Sequence, residues 1–345
     1  MKNFKALAAC AVISITIQCL GLFWLDKFYF KDNADVNVKE ISVKKAQEEK
    51  EKHIALPNDL SSLQVSYNGK FLAYMEDSDL KIINSTTGEK KTLPNENSDE
   101  TVYFTWLQDR NIMLLVQKES TVKGNMFVLY NYDSEKNNKQ KISSITSAEG
   151  KSKINSIKAS TITGVTYIEA ENSLGKASVY RMDINQTQAK KVTLQVSSLT
   201  DIFVIPREER LVYQDTSGKV FLTQPQAKIT INTGIKTKIL GIDNNSIMYL
   251  GQLNGEKVTK ILYGSSNSKD TSQWKSISLA QKVNEEDIFV TSSGEILIIN
   301  DTEKLIVDLK NNKEMKYKGT FISLYNSGIT ASVNGKYYKT AFADL

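Results

Sequence analysis

The sequence predicts an all-β body built from one four-stranded unit used about seven times, behind a single apolar helix. Three observations predict it. Short runs rich in branched and aromatic residues fill the chain after about residue 53. Turn pairs separate many of them: Asn68-Gly69, Ser217-Gly218, Asn254-Gly255, Ser293-Gly294 and Asn334-Gly335. Near the N-terminus an uncharged segment, "ALAACAVISITIQCLGLFWL", covers Ala6 to Leu25.

The apolar segment comes first. As a helix it would rise about 30 Å, the hydrocarbon thickness of a bilayer. Lys2 and Lys5 precede it, and Trp24, Phe28, Tyr29 and Phe30 crowd its far end. A basic flank and an aromatic belt are membrane signals. The expected organisation is therefore a cytoplasmic tail over 1–5, a transmembrane signal anchor over 6–25, a juxtamembrane stalk over 26–52 and an extracellular β-body over 53–345. The bulky end "GLFWLDKFYF" argues against a cleavage site, which wants small residues. "LAAC" at Leu7–Cys10 looks like a lipidation box, but the apolar run follows the Cys instead of leading to it. Ser14, Gln18 and Gly21 share one helix face, which suggests a membrane partner face. A span that merely tolerates three such residues is the plainer reading.

The net charge of +5 matches this picture. Residues 1–31 hold four Lys and one acid, which leaves 40 basic and 38 acidic residues in the rest. The body is near neutral. Lys outnumbers Arg by 40 to 4, a bias read as genomic. Arg is the better phosphate-reading fork, so nucleic acid is not an expected partner. Cys10 and Cys19 are the only cysteines, so the body has no disulfide chemistry. With the Lys and Asn bias, this points to a Gram-positive surface protein.

In the body, "FLAYME" (71–76), "LKIIN" (80–84), "VYFTW" (102–106), "IMLLVQ" (112–117) and "MFVLYNY" (126–132) begin a series of β-prone runs. No later segment keeps a 3.6-residue apolar period. "DIFV" occurs at Asp201–Val204 and again at Asp287–Val290, and strand, turn and strand follow each copy. Second strands of successive units begin near Phe71, Ile112, Val165, Leu211, Ile247, Ile296 and Ile329. Four-stranded units at ~40–50 residue spacing are the mark of a β-propeller. Seven blades are expected, with six or eight as the neighbouring solutions. The last unit, "TFISLYNSGITASVNGKYYKTAF" (320–342), offers only three strands, so "KHIALP" (52–57) is expected to supply its outer strand and close the ring.

The stretch "SYNGKFLAYMEDSDLKIINSTTGEKKTL" resembles the repeat of TolB-like and prolyl-oligopeptidase-type propellers. In that repeat a Ser-Pro-Asp-Gly turn precedes a strand of the form Lys-aromatic-Leu-Ala-Tyr. Ser66, Gly69, Lys70, Leu72, Ala73, Tyr74 and Gly88 match; Tyr67 and Asn68 depart from Pro and Asp. The resemblance covers about 30 residues well. It implies a propeller and gives these seven residues a structural role.

Catalytic constellations are not apparent. The single His, His53, has no G-x-S-x-G elbow to serve, and one His makes no zinc site. Acids cluster in "EDSD" (76–79), "REE" (207–209) and "NEED" (284–287), where solvation is the ordinary reading. "DNN" at Asp243–Asn245 reads as a turn first and a metal site a distant second. Tyr103, Phe104, Trp106, Tyr130, Tyr132, Tyr337 and Tyr338 are core candidates before they are ligand-facing ones. No catalytic, cofactor or metal residue is assigned. The expected function is a non-catalytic, membrane-anchored surface propeller that binds an envelope protein, a peptide or a wall polymer. An accessory sensor acting through a membrane partner, or a hydrolase or lyase with acids in the propeller channel, is the alternative.

Overall fold

"FLAY" is a continuous apolar run, and its setting explains why. In the computed structural model Phe71 and Ala73 face one neighbouring blade, while Leu72 and Tyr74 face the other. A strand buried on both faces needs no polar alternation. The structure describes residues 2–25, 54–57, 59–95, 99–122, 124–183 and 188–344, with side chains from Ile13 onward in the first of these segments. The stalk assigned to 26–52 and His53 lie outside the described residues.

The chain divides into two units, residues 1–50 and 51–345. In the first, α1 spans Lys2–Trp24. Here the sequence expectation is overturned. Among the described residues no helix is long and apolar enough to cross a membrane. The expected localisation, a single-pass membrane protein with its body outside, is thereby overturned.

The second unit forms seven antiparallel sheets. Blade 1 holds β1 (Gln64–Val65), β2 (Phe71–Glu76), β3 (Asp79–Asn84) and β4 (Lys90–Leu93). Blade 2 holds β5 (Glu100–Trp106), β6 (Ile112–Thr121), β7 (Gly124–Asp133) and β8 (Asn138–Ser147). Blade 3 holds β9 (Lys153–Ser160), β10 (Val165–Glu171), β11 (Ala177–Asp183) and β12 (Lys190–Lys191). Blade 4 holds β13 (Asp201–Val204), β14 (Leu211–Gln214), β15 (Val220–Leu222) and β16 (Ala227–Ile229). Blade 5 holds β17 (Thr237–Ile242), β18 (Ile247–Asn254), β19 (Lys257–Ser265) and β20 (Lys275–Asn284). Blade 6 holds β21 (Ile288–Val290), β22 (Ile296–Asn300), β23 (Leu305–Asp308) and β24 (Lys313–Lys316). Blade 7 holds β25 (Thr320–Tyr325), β26 (Gly328–Val333) and β27 (Lys336–Ala341). Six of the seven second strands begin at the residue the sequence indicates; the seventh begins at Gly328.

The core is not one mass but seven wedges, each between two adjacent blades. Leu114, Val116 and Phe127 of blade 2 meet Ile154, Ile157 and Ile168 of blade 3. Tyr249, Val258 and Ile261 of blade 5 meet Ile288 and Ile296 of blade 6. The first strand of each blade is innermost, and β1 lies against β25, which makes the arrangement a ring. The ring is fastened by the segment predicted to do so. Ala55 pairs with Lys336, the Leu56 amide donates to Gly335 O at 2.9 Å, and the Tyr337 amide donates to Ile54 O at 2.9 Å. Ile54 is buried in the wedge between blades 7 and 1.

The outer strands read "KKTL", "NKQKISSITS", "KK", "AKI", "KSISLAQKVN" and "KEMK". Each carries lysine, and together they carry one acid. Lysine on an open edge discourages pairing with a second chain. Part of the lysine excess therefore has a physical reason beyond codon bias.

Candidate functional site

Each blade's first turn, between its first and second strands, lies on the same face of the ring. Three tyrosines tie these turns to the preceding blade. The Tyr167 hydroxyl donates to Glu209 O at 3.0 Å, Tyr249 to Gly294 O at 3.2 Å, and Tyr337 to Gly69 O at 2.9 Å. Backbone bonds add to this: the Asn244 amide donates to Ser292 O, and the Asn326 amide to Tyr67 O, both at 2.9 Å. Fixed turns give the central channel a defined rim.

Two cavities of about 320 and 550 Å³ lie along that channel and share Trp106, Leu107, Gln108, Val290 and Ser292. The inner one is walled by Tyr103, Phe203, Leu240 and Val290, with Lys158 the charged member. Lys158 Nζ sits 3.9 Å from Asp201 and 5.0 Å from the centre of the Phe203 ring. Burial pushes the Tyr103 hydroxyl above the usual phenol range. The outer cavity opens among Tyr67, Ser292, Ser293, Tyr325 and Asn326. Glu295 is the one acid lining either cavity, and it accepts from Thr291 Oγ1 at 3.1 Å and Ser293 Oγ at 3.2 Å. Glycoside hydrolysis needs two facing carboxylates, and these linings offer no such pair.

Of the residues singled out from the repeat, Ser66, Gly69 and Lys70 lie in the first turn of blade 1, at this rim, as scaffold. Ser66 is buried; its hydroxyl accepts from the Phe71 amide at 3.0 Å, and its carbonyl accepts from the Gly69 amide at 2.9 Å. Gly69 adopts φ +72°, a conformation that suits glycine. A Cβ there would lie 2.6 Å from Lys339 Cδ. Lys70 Nζ reaches Glu135 at 2.5 Å, and that contact holds the Glu135 carboxyl below the usual range. Leu72, Ala73 and Tyr74 are core, and Gly88 closes the turn after β3 with φ +77°. Ser14, Gln18 and Gly21 are exposed on α1.

The acidic clusters resolve into local partnerships. Glu209 meets Arg181 at 2.5 Å, Glu208 meets Arg210 at 3.3 Å, and Glu285 meets Lys238 at 2.7 Å. Asp243 is a buried turn residue whose Oδ1 accepts the Asn245 and Ile247 amides at 2.8 and 3.0 Å. Its carboxylate is occupied by the backbone, as the turn reading requires. The channel residues Gln108, Lys158, Phe203 and Ser292 were missed by sequence reasoning. They lie on, or just after, the first strand of a blade, and that position was the available signal.

Tyr317 makes a prediction. Burial, then its hydrogen bond to Asp301 at 2.7 Å, pushes its hydroxyl well above the usual phenol range. An unfolded tyrosine loses its proton near about pH 10. Above that pH the folded state holds more protons than the unfolded one, so stability falls as pH rises. Thermal melts should be flat between about pH 7 and about pH 10 and decline beyond. The Tyr317→Phe variant should decline less steeply; an equal decline would remove Tyr317 as a cause.

Fold and site together define a seven-bladed β-propeller with an occupiable channel mouth. A chain in the crystal structure of a mitotic checkpoint complex is similar, with TM-score 0.53 at 10% identity, covering 83% of this chain and 92% of that one. KlHsv2 with loop 6CD replaced by a Gly-Ser linker gives TM-score 0.47 at 12% identity, covering 78% and 87%. In all, 955 chains of known structure match, so likeness at this level fixes the architecture and leaves the ligand open. No family model matches the chain, and no curated protein is similar to it.

Proposed function

We propose that this protein is a non-catalytic binding propeller that holds a peptide segment at its channel mouth. The observation that carries the reading is the pair of joined cavities behind a hydrogen-bonded rim. Their volumes fall in the ~300–1,000 Å³ range of ligand sites, and aromatic walls with a few placed polar groups are what such sites use. Ser292, Ser293 and Asn326 offer hydrogen bonds to a peptide backbone, and Tyr67 offers a ring and a hydroxyl. The paucity of acids in the linings favours binding over hydrolysis.

The test is selection of a displayed peptide library on the full chain, with a blocked variant as control. Gln108 and Ser292 are exposed at the mouth, so Gln108→Arg with Ser292→Arg should fill it without disturbing the wedges. Peptides enriched on the wild type should lose binding to the double variant while its melting temperature stays unchanged. No enriched peptide, or peptides that bind both proteins equally, would overturn the reading.

A further inference from the structure

β12 is the shortest outer strand, with two residues where the other five have three to ten. It pairs only with Tyr180 and Arg181 of β11. One more bond, from the Val192 amide to Val179 O at 2.8 Å, extends the ladder before the chain turns away. Ala177 and Ser178 are left without an outer partner strand. Hydrogen-bonding directions alternate along a strand, and the Val179 carbonyl points outward. Ala177, two residues earlier, therefore turns its amide and carbonyl to the same open side.

A cavity of about 830 Å³ lies against this open edge, between Ala177–Ser178 and the segment from Lys191 to Ser198. Lys176 and Lys191 line it, and Lys190 lines an adjoining groove of about 370 Å³. All three lysines are exposed, and among the described residues no carboxylate lies within ion-pair distance of them. Asp215 is the acid lining the cavity; its Oδ1 accepts the Ser217 and Lys219 amides, both at 2.9 Å, within its own turn. Arg181 is committed to Asp183 and Glu209. The free charge at this edge is positive.

We propose that blade 3 accepts an extended acidic peptide as an added strand along Ala177 and Ser178, its carboxylates facing Lys176, Lys190 and Lys191. Open backbone groups supply the ladder, as in strand addition generally, and the lysines select the sign of the peptide's charge. The cavity lies beside the second turns, near Lys176 and Asp215, on the face opposite the channel mouth. The two surfaces are therefore separable by mutation.

The experiment measures fluorescence polarisation of labelled hexapeptides with the full chain. Alternating valine and glutamate should bind; alternating valine and lysine should not. Lys176→Glu with Lys191→Glu should weaken binding about tenfold or more, and raising salt from about 50 to about 500 mM should do likewise. N-methylation of every second peptide residue should abolish binding, because it removes the ladder donors while keeping the charge. Gln108→Arg with Ser292→Arg should leave this binding unchanged. Equal binding of the N-methylated peptide would overturn strand addition, and equal binding to the lysine variant would overturn charge selection. No binding of the acidic peptide would overturn the proposal outright. So would a dimer in sedimentation that the lysine variant abolishes, since a second copy would then be the occupant.

Discussion

A chain lacking residues 1–58 should melt roughly 10–15 °C below the full-length protein, whereas a chain lacking residues 1–50 should melt unchanged. Every wedge and blade is built from residues after 50, but the fastening of the ring depends on Ile54, Ala55 and Leu56. The longer deletion exposes the wedge that holds Val65, Leu72, Tyr74, Ile83 and Tyr337. Losing a buried isoleucine costs about 2–3 kcal/mol. Two lost backbone bonds cost about 1 kcal/mol each. The sum, about 4–5 kcal/mol, is a large share of a native stability of about 5–15 kcal/mol. In a domain of this size each kcal/mol moves the midpoint by about 2–4 °C. Opening the edge of β27 should also raise concentration-dependent aggregation. Calorimetry on the two deletions checks this; equal midpoints would show that three residues do not fasten the ring.

The closing segment was legible because a three-stranded last unit demands a partner from elsewhere. The second strands were legible for a related reason. Packed between two blades on both faces, they are buried at most positions and mostly apolar, as at Leu211, Val212 and Tyr213 of β14. Outer strands were harder to read. β8 and β20 each run ten residues, yet they are mostly exposed, and their lysines resemble loop composition. The N-terminal segment misled for the opposite reason. Apolar composition over 6–25 satisfies a length rule on paper, yet no helix among the described residues is long and apolar enough to cross a membrane.

The turn at Asn68-Gly69 looked like a first-blade element. It is also a ring-closure element, because Tyr337 and Lys339 of the last blade both reach it, at 2.9 Å and 3.3 Å. No sequence pattern announces a contact across 268 positions. The same holds for the channel. Its lining comes from the ends of several first strands that are remote in sequence, and only the ring brings Gln108 and Ser292 together.

Asp243→Ala should cost about 3–5 kcal/mol, the range for stripping a buried, hydrogen-bonded charge from its donors. Two backbone amides lose their acceptor, and the Tyr249 hydroxyl loses the nearer of its two, Oδ2 at 3.0 Å, keeping Gly294 O at 3.2 Å. The damage extends beyond blade 5. Lys310 Nζ meets the Tyr249 oxygen at 2.8 Å, Arg207 Nε donates to Asn244 O at 2.6 Å, and the Asn244 amide bonds to Ser292 O. Blades 4, 5 and 6 are thus held at one turn, and Gly294 packs so close that a Cβ would lie 2.5 Å from Asp243 Oδ2. Asp243→Asn keeps an oxygen for the two amides and loses only the acceptor facing Tyr249, so it should cost about 1–2 kcal/mol. Combining Asp243→Ala with Tyr249→Phe should cost less than the sum of the singles, because each single variant loses the bond between the two side chains and the double variant loses it only once. Denaturant melts of the four proteins decide the matter. A strictly additive double variant, or an alanine variant within about 1 kcal/mol of wild type, would mean that the blades are held at this face by the backbone bonds alone.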